Sequence, residues 1–359
     1  MVVELIGGDE PAHTLTAAAL AVGKDVVTAN KHVLAHYGAE LEAIARRTGA
    51  SLRFEAAVGG GIPLLGPLGA ELAGNRIRRV RGILNGTTNY ILSAMGREGL
   101  GYEQELAAAQ AAGYAEADPR GDVEGDDAVN KLVILTRLAF GVWLEPASIP
   151  RRPPRLDGPG RPGIVGVTAE EMAAAATLGL TLRLLASASR VEEGGIERIR
   201  AAVVPTAVPM DGPFGQTVGV INRVEVDGEP LGRVAFSGPG AGGGPTNSAV
   251  LGDLLAVARG VGSTWAGLPP AQAIHPDHPA TGRATGGAAE DGIGSGGWFA
   301  FLPRVQPLQV RSGTAGLYAV AAPGGTAIRS LPVPIESVRA SVADLLDAPG
   351  RVTLYPIDD

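Results

Sequence analysis

The 359-residue sequence predicts an α/β fold, in which part of a doubly wound parallel sheet precedes an α+β domain and a small C-terminal module. Three observations predict this arrangement. Short apolar runs alternate with amphipathic segments over residues 1–50, longer helices and separate strands follow from residue 51, and a Gly-, Pro- and Ala-rich stretch precedes the tail. We therefore divide the chain at 1–50, 51–239, 263–297 (a linker) and 298–359, with 240–262 returning to complete the first unit.

The first unit has the pattern of a β-α-β-α repeat. Apolar strands are predicted at residues 2–6 and 25–28, and helices at 12–22 and 34–48, the second of which is closed by Gly49. This is half of a Rossmann-like sheet. Between its first strand and first helix there is no Gly-x-Gly-x-x-Gly, the motif that brings a pyrophosphate onto a helix N-terminus.

The remaining elements follow from the same signals. A helix begins at Thr168, because Thr168 and Glu171 have the spacing of a capping box. Residues 151–162 are a loop rich in Pro, Gly and Arg. The other predicted elements are strands at 52–58, 77–84, 199–204, 222–226 and 233–237, helices at 128–140 and 246–259, tail strands around Phe299, Tyr318, Ile328 and Val352, and a tail helix at 335–346.

Composition excludes several classes of protein. The formal net charge of −7 argues against nucleic acid or an anionic membrane as a partner, since both favour a basic surface. No apolar run reaches 18 residues and no leader pattern is present, so we place the protein in the cytoplasm. The absence of cysteine removes disulfides, thiolate nucleophiles and Cys-ligated metals.

Lysine is rare in this chain, and its positions are informative. Only Lys24, Lys31 and Lys131 occur among 30 basic residues, so arginine is used almost wherever a surface cation suffices. Guanidinium stays charged in proteins, whereas a desolvated ammonium can give or take a proton. Lys31 and Lys131 are therefore candidates for proton transfer, although rare lysines could also be remnants on solvated faces.

An acidic segment leads into the second of these lysines. Acids at a helix start are favoured by the helix dipole, which is the simplest account of Glu124 and Asp126. Asp127 differs, because a spacing of four places it beside Lys131 on one helix face, where it can hold the ammonium. Carboxylates around a proton-donating lysine suit an amino acid with a reactive carbonyl or hydroxyl group. The six carboxylates of the segment are Glu116, Asp118, Asp122, Glu124, Asp126 and Asp127.

The segment closing at Lys131 resembles the signature of the homoserine dehydrogenase family, with Gly113, Tyr114, Asp118-Pro119, Asp122, Gly125 and Asp127 at the expected intervals. The resemblance covers residues 1–260. The further blocks that are similar to the family, in the same order, are Glu4-Leu5-Ile6-Gly7-Gly8, Thr28-Ala29-Asn30-Lys31, Phe54-Glu55-Ala56-Ala57-Val58-Gly59-Gly60-Gly61-Ile62-Pro63, Gly82-Ile83-Leu84-Asn85-Gly86-Thr87-Thr88-Asn89-Tyr90-Ile91-Leu92 and Gly238-Pro239-Gly240-Ala241-Gly242.

The resemblance implies hydride transfer between NAD(P)H and aspartate 4-semialdehyde, giving homoserine on the route to threonine, methionine and isoleucine. Lys131 would be the proton donor, and Lys31 would lie between the cofactor and the reacting carbon. Glu116 and Asp127 would hold the substrate, with Asp122 close by. The positions implied for the cofactor are Gly7, Thr28, Asn30, Lys31 and Gly242, and those implied for a monovalent cation such as Na⁺, bound largely by backbone carbonyls, are Glu55, Val58, Gly60 and Ile62.

The sequence also departs from the family pattern. Because the glycine-rich motif is missing, we expect a truncated or mis-started chain that dimerises through its substrate domain and binds NADPH weakly or not at all. The tail does not show the βαββαβ pattern of a regulatory domain, since a first helix cannot be found. A family member that dimerises and binds ligand without turnover stays an alternative. Aspartate-semialdehyde dehydrogenase is disfavoured, because its acyl-enzyme chemistry needs a cysteine.

Overall fold

The structure, a computed structural model, describes residues 1–156, 158–193, 195–271, 297–307, 316–342 and 352–358. Within these residues the strands form four sheets, of three, five, four and two strands. The predicted α/β class is confirmed. The predicted linker at 263–297 lies largely outside the described residues, as does the end of the tail helix predicted at 335–346.

The N-terminal sheet is parallel, in the order β1-β2-β3. Asn30 caps the N-terminus of the second helix by accepting a hydrogen bond from the Val33 amide at 3.1 Å, which starts that helix three residues before the predicted position. Gly49 ends it in the left-handed conformation at φ 76°. The elements are β1 (Val2–Glu4), α1 (Ala12–Ala21), β2 (Val26–Thr28), α2 (Lys31–Thr48) and β3 (Leu52–Arg53).

The strand predicted at 52–58 is wrong beyond residue 53. The backbone turns into a 3₁₀ helix at Glu55–Ala57. The amide of Phe54 donates to the Thr264 hydroxyl at 3.2 Å, and the amide of Glu55 donates to the Asp253 carboxylate at 2.7 Å. Since side chains satisfy these two amides, the segment leaves the sheet at no cost in unpaired backbone donors.

The second unit is built on an antiparallel sheet in the order β10-β9-β4-β7-β8. The helices α4, α7 and α8 all pack on β7, and α9 packs on β2 and on the 3₁₀ turn. The elements are α3 (Leu65–Gly69), β4 (Arg76–Ile83), α4 (Gly86–Glu98), α5 (Tyr102–Ala111), α6 (Arg120–Val123), α7 (Asp126–Phe140), β5 (Pro154–Arg155), β6 (Gly158–Pro159), α8 (Ala169–Thr177), β7 (Leu180–Glu193), β8 (Ile196–Pro209), β9 (Ile221–Glu229), β10 (Gly232–Pro239) and α9 (Gly243–Ala258).

Two elements place the functional groups. Strand β4 pairs with β9 and β7 and is thus central in the sheet, and it ends at the turn that begins α4. Helix α7 is buried at every residue after Asp126, because it lies between α2 and the sheet. The predicted capping box at α8 is confirmed, with the Glu171 amide donating to the Thr168 hydroxyl and the Thr168 amide donating to the Glu171 carboxylate.

The C-terminal module is a second antiparallel sheet, in the order β12-β13-β11-β14. Residues 308–315, which connect β11 to β12, lie outside the described residues. The strand expected around Val352 begins later, at Tyr355. The elements are β11 (Trp298–Pro303), β12 (Tyr318–Ala322), β13 (Gly325–Arg329), α10 (Ile335–Val342) and β14 (Tyr355–Pro356).

The segment 352–358 joins this module to the central sheet. The Tyr355 hydroxyl donates to the Glu171 carboxylate at 2.8 Å, and the Asp358 amide donates to the Ala207 carbonyl of β8 at 2.9 Å. The fully buried Asp358 carboxylate accepts from Arg79 and Arg81 of β4, each at 2.6 Å. Segment 352–358 therefore contacts α8, β8 and β4 of the second unit.

Residues 263–271 also differ from the predicted linker. Trp265 is 1% exposed and packs against Phe54 and Trp143, and the Ser263 hydroxyl accepts from the Leu52 amide at 3.0 Å. This part of the chain thus covers the core beside β3. Among the described residues, no helix is long and apolar enough to cross a membrane.

Candidate functional site

A cavity of about 460 Å³ lies where β4 ends, between α7, the acidic segment and the turn after β10. It brings together residues that are far apart in the sequence. Its lining includes Lys31, Glu116, Asp122, Asp127, Lys131 and Gly242, six of the residues singled out in the sequence. The rest of the lining is Asn85, Gly86, Thr87, Gly113, Tyr114, Ala115, Val220, Asn222, Pro239, Gly240 and Ala241.

Both candidate lysines contact the same carboxylate. Lys131 Nζ donates to Asp127 Oδ2 at 2.8 Å, and Lys31 Nζ lies 3.0 Å from Asp127 Oδ1. Lys131 and Asp127 are both buried, whereas the Lys31 side chain is 42% exposed. The predicted spacing of four on one helix face is confirmed, and the contact with Lys31 comes from the packing of α2 on α7.

The charges in this group strongly affect one another. Burial alone would raise the pKa of Asp127, but the positive charges of Lys131 and Lys31 outweigh it and lower the pKa to about 2. The Asp127 charge raises the pKa of Lys31, against the opposing effect of burial. Burial, followed by the charge of Asp127, raises the pKa of Asp122. Asp127 is thus a permanent anion that keeps Lys31 protonated.

Asn85, which the sequence did not single out for a role, connects the carboxylates. Its Nδ2 atom donates to Asp122 Oδ1 and to Asp127 Oδ2, each at 2.8 Å. The Thr87 hydroxyl lies 3.1 Å from Asp122 Oδ2. A sequence signal did exist, because an Asn between a buried strand and Gly-Thr-Thr is a typical helix N-cap at the carboxyl end of a strand.

The opposite side of Lys131 is held by backbone. Its Nζ donates to the Leu84 carbonyl at 2.7 Å, and the same carbonyl accepts from Asn222 Nδ2 at 3.0 Å. Gly240 lies so close to Asn222 that a Cβ there would be 2.1 Å from the amide. This close approach explains a glycine after β10. Glu116 and Tyr114, in contrast, are exposed where they line the cavity.

The predicted cofactor residues fall into two groups. Lys31 and Gly242 line the cavity, whereas Thr28 and Asn30 are buried beneath it. The Thr28 hydroxyl donates to Glu4 Oε2 at 2.5 Å and accepts from the Asn30 amide at 2.9 Å, so it supports the turn.

Two glycines lie at the carboxyl edge of the parallel sheet. Gly7 and Gly8 have φ of 77° and 70°, with open space where a Cβ would be. Such a turn lets a ligand approach the backbone closely, which fits the edge of a sheet that binds a nucleotide.

The predicted cation residues surround a second cavity only in part. Glu55, Gly60 and Ile62 line it, while Val58 is fully buried. The Glu55 carboxylate accepts from the amides of Leu64, Leu65 and Gly66 at 2.7–2.8 Å, and burial raises its pKa despite these bonds. Within the described residues, no group of three or more His, Asp and Glu side chains could hold a metal. An ion here would therefore depend on backbone carbonyls and the remaining lone pairs of Glu55.

Together the groups can hold and protonate a small polar molecule. Two ammonium groups and three carboxylates converge on one cavity beside a parallel sheet edge with open glycines. A polar cavity beside such a sheet edge is typical of proteins that bind a dinucleotide next to a small polar ligand.

The comparisons with known proteins identify the family within that class. A family model described as homoserine dehydrogenase matches residues 63–255, and one described as homoserine dehydrogenase, NAD binding domain, matches residues 1–55. The chain belongs to the homoserine dehydrogenase family, as its sequence blocks predict.

Relatives and solved structures agree with this assignment. The chain is 46% identical over 255 residues to a homoserine dehydrogenase of Synechocystis sp., covering 71% of this chain and 57% of that protein. It is 45% identical over 260 residues to one of Mycobacterium tuberculosis, covering 72% and 57%. A crystal structure of a homoserine dehydrogenase from Thiobacillus denitrificans matches with a TM-score of 0.83 and 34% identity, covering 100% of this chain and 82% of that one.

One further matching structure is that of a complex with NADPH. A hyperthermophilic archaeal homoserine dehydrogenase mutant in complex with NADPH matches with a TM-score of 0.58 and 29% identity, covering 72% of each chain. The present chain spans 57% of the length of the Synechocystis relative.

Proposed function

We propose that this protein is a homoserine dehydrogenase, which interconverts aspartate 4-semialdehyde and L-homoserine with NADPH or NADH, works in the cytoplasm and forms a homodimer. One observation carries the proposal. Two of the three lysines in the chain meet at Asp127 inside a cavity that also contains Asp122 and Glu116. Such a site offers a proton donor beside anions that can hold a substrate ammonium group.

Lys131 supplies the proton to the carbonyl oxygen in the reducing direction and takes it back in the oxidising direction. Its ammonium is buried, and the Leu84 carbonyl and Asp127 hold two of its three N–H groups. The third N–H remains for the substrate oxygen. Lys31, which is more exposed and whose pKa is raised by Asp127, stays charged and steadies the developing negative charge on that oxygen.

The carboxylates divide into two roles. Both oxygens of Asp127 contact lysines, so its main role is to hold and tune Lys31 and Lys131. Glu116 is exposed in the cavity lining and can bind the substrate ammonium directly. Asp122 lines the same cavity and adds to the negative field.

A nicotinamide dinucleotide, when bound, would supply or accept the hydride. The residues that would hold it lie where β1, β2 and β10 end. They are Gly7, Gly242, Lys31 and, through their support of the backbone, Thr28 and Asn30. A monovalent cation would lie at Glu55, Val58, Gly60 and Ile62, bound by oxygen atoms.

The proposal is tested by adding homoserine with NADP⁺ or NAD⁺ to the purified chain and following absorbance of the reduced cofactor. NADPH binding is measured separately by fluorescence titration. Turnover of homoserine supports the proposal. A folded chain that binds homoserine by calorimetry but never oxidises it would identify a ligand-binding relative without catalysis, and a chain that does not bind homoserine at all would refute the assignment.

We expect Glu116→Gln to raise the apparent KM for homoserine about tenfold or more, because a hydrogen bond to a charged group contributes about 1.5–3 kcal/mol. Glu124→Gln is the matched control. Glu124 directly precedes Gly125, the N-cap of α7, but does not line the cavity, so its loss removes only a helix-dipole effect of about 0.3–1 kcal/mol. Steady-state kinetics with both variants decide the matter. Equal effects of the two substitutions on KM would show that these carboxylates are only solvated charges near the helix end.

A further inference from the structure

One side chain at the junction of β4 and α4 links the groups of the site. Asn85 is 5% exposed, and its two functional atoms serve different purposes. Its Oδ1 atom accepts from the Thr88 amide at 2.8 Å and caps α4. Its Nδ2 atom donates to Asp122 Oδ1 and Asp127 Oδ2. A single amide thus fixes the helix start and both carboxylates.

Asp122 and Asp127 repel each other, and the hydrogen bonds from Asn85 offset this repulsion. Asp127 is buried and Asp122 is half-buried, and like charges so close together disfavour double ionisation. The charged groups that face Asp122 are Asp127 and Lys131 from α7 and, more distantly, Lys31 and Glu116. Lys131 and Lys31 bind the Asp127 carboxylate directly, so Asp122 depends mainly on the neutral donor Asn85. The single proton of the Thr87 hydroxyl is shared between Asp122, at 3.1 Å, and the closer Tyr114 carbonyl, at 2.8 Å.

We propose that Asn85 is a positioning residue, which keeps Asp122 ionised and holds Asp127 Oδ2 against Lys131 so that both lysines face the substrate in a fixed geometry. The catalytic part of this inference rests on the proposed homoserine dehydrogenase activity. The effect on Asp122 does not depend on it, since it follows from the hydrogen bonds alone.

Two substitutions separate the donor role from the cap role. Asn85→Ser keeps an oxygen that is a good N-cap but removes the amide that reaches two carboxylates. Asn85→Asp keeps the shape and the cap but places a third carboxylate against Asp122 and Asp127. The control is Asn89→Ser, one turn further along α4. Asn89 is buried and its Nδ2 donates to backbone carbonyls such as that of Gly219, with no carboxylate contact described.

The first readout is the titration of the Asp122 carboxyl in the full chain labelled with ¹³C-aspartate, followed by NMR and assigned with Asp122→Asn. In Asn85→Ser the midpoint is expected to rise by about one pH unit, because a hydrogen bond to the charged form is lost. Asn85→Asp should raise it further, and Asn89→Ser should leave it unchanged. An unchanged midpoint in a folded Asn85→Ser protein overturns the proposal.

The second readout is kinetic. Asn85→Ser is expected to lower kcat/KM for homoserine about a hundredfold, as for a misplaced reacting group, and to move its acid limb to higher pH in step with the NMR midpoint. An acid limb that stays in place while the midpoint moves would remove Asp122 ionisation from the mechanism and overturn this part. Failure of the wild-type chain to bind or oxidise homoserine refutes the proposed function instead, and the carboxyl titration still decides the role of Asn85.

Discussion

Lys131→Arg is expected to lower kcat for homoserine oxidation at least about a hundredfold while the fold and homoserine affinity persist, since general acid–base groups contribute 10²–10⁴-fold. Arginine keeps the positive charge beside Asp127 and the Leu84 carbonyl, but it does not release a proton at accessible pH. Circular dichroism and homoserine calorimetry check the fold and the affinity, and steady-state assays measure kcat.

Lys24→Arg provides the matched control for this variant. Lys24 is the third lysine of the chain, is exposed, and lies in the turn between α1 and β2 away from the cavity. Its replacement should leave kcat unchanged. Retention of more than about a tenth of the wild-type rate in Lys131→Arg would rule out proton donation by Lys131.

Asp127→Asn is expected to destabilise the protein by about 3–5 kcal/mol and to reduce kcat/KM at least about a hundredfold. The substitution leaves two ammonium groups facing each other without their shared anion, and the one on Lys131 is buried. Urea unfolding measures the stability. Asp126→Asn is the control, because Asp126 is exposed and its pair with Arg151 lies at the surface, so its loss should cost less than about 1 kcal/mol.

The free energy of unfolding of Asp127→Asn should also depend on pH differently from that of the wild type. The pKa of Asp127 is about 2 in the folded protein, below the ordinary value of 3.8, so its contribution to stability is present above pH 4 and is lost as the pH falls toward 2. The unfolding free energy of Asp127→Asn should therefore fall less steeply than that of the wild type across this interval. Parallel pH dependence in the two proteins would show that the native carboxylate is not held by the lysines.

Local sequence signals predicted the part of the site that lies within one helix or one turn. The spacing of Asp127 and Lys131 puts them on one face of α7 whatever the tertiary structure. The glycine that ends α2 could likewise be predicted from the local sequence alone. Lys31 was predicted from its rarity and from the family resemblance, but its contact with Asp127 depends on how α2 packs on α7.

Contacts between distant segments could not be predicted in this way. Asn85 reaches Asp127 across 42 positions, and Asn222 reaches the Leu84 carbonyl across 138. Periodicity also failed for β7, because its first nine residues, 180–188, are all buried and therefore show no alternation. The strand predicted to continue past Arg53 ended because side chains from α9 and its following loop take its amides, a competition that no local pattern records.

The attachment of segment 352–358 has a consequence for biosynthesis. Arg79 and Arg81, in the central strand of the large sheet, bind the carboxylate of Asp358 across separations of 279 and 277 residues. Arg79 is therefore synthesised 279 residues before its partner Asp358, whereas Arg81 also pairs with Glu225, at a separation of 144 residues. Contacts of such long range slow folding, so we expect the pairing of these arginines with Asp358 to form late in folding.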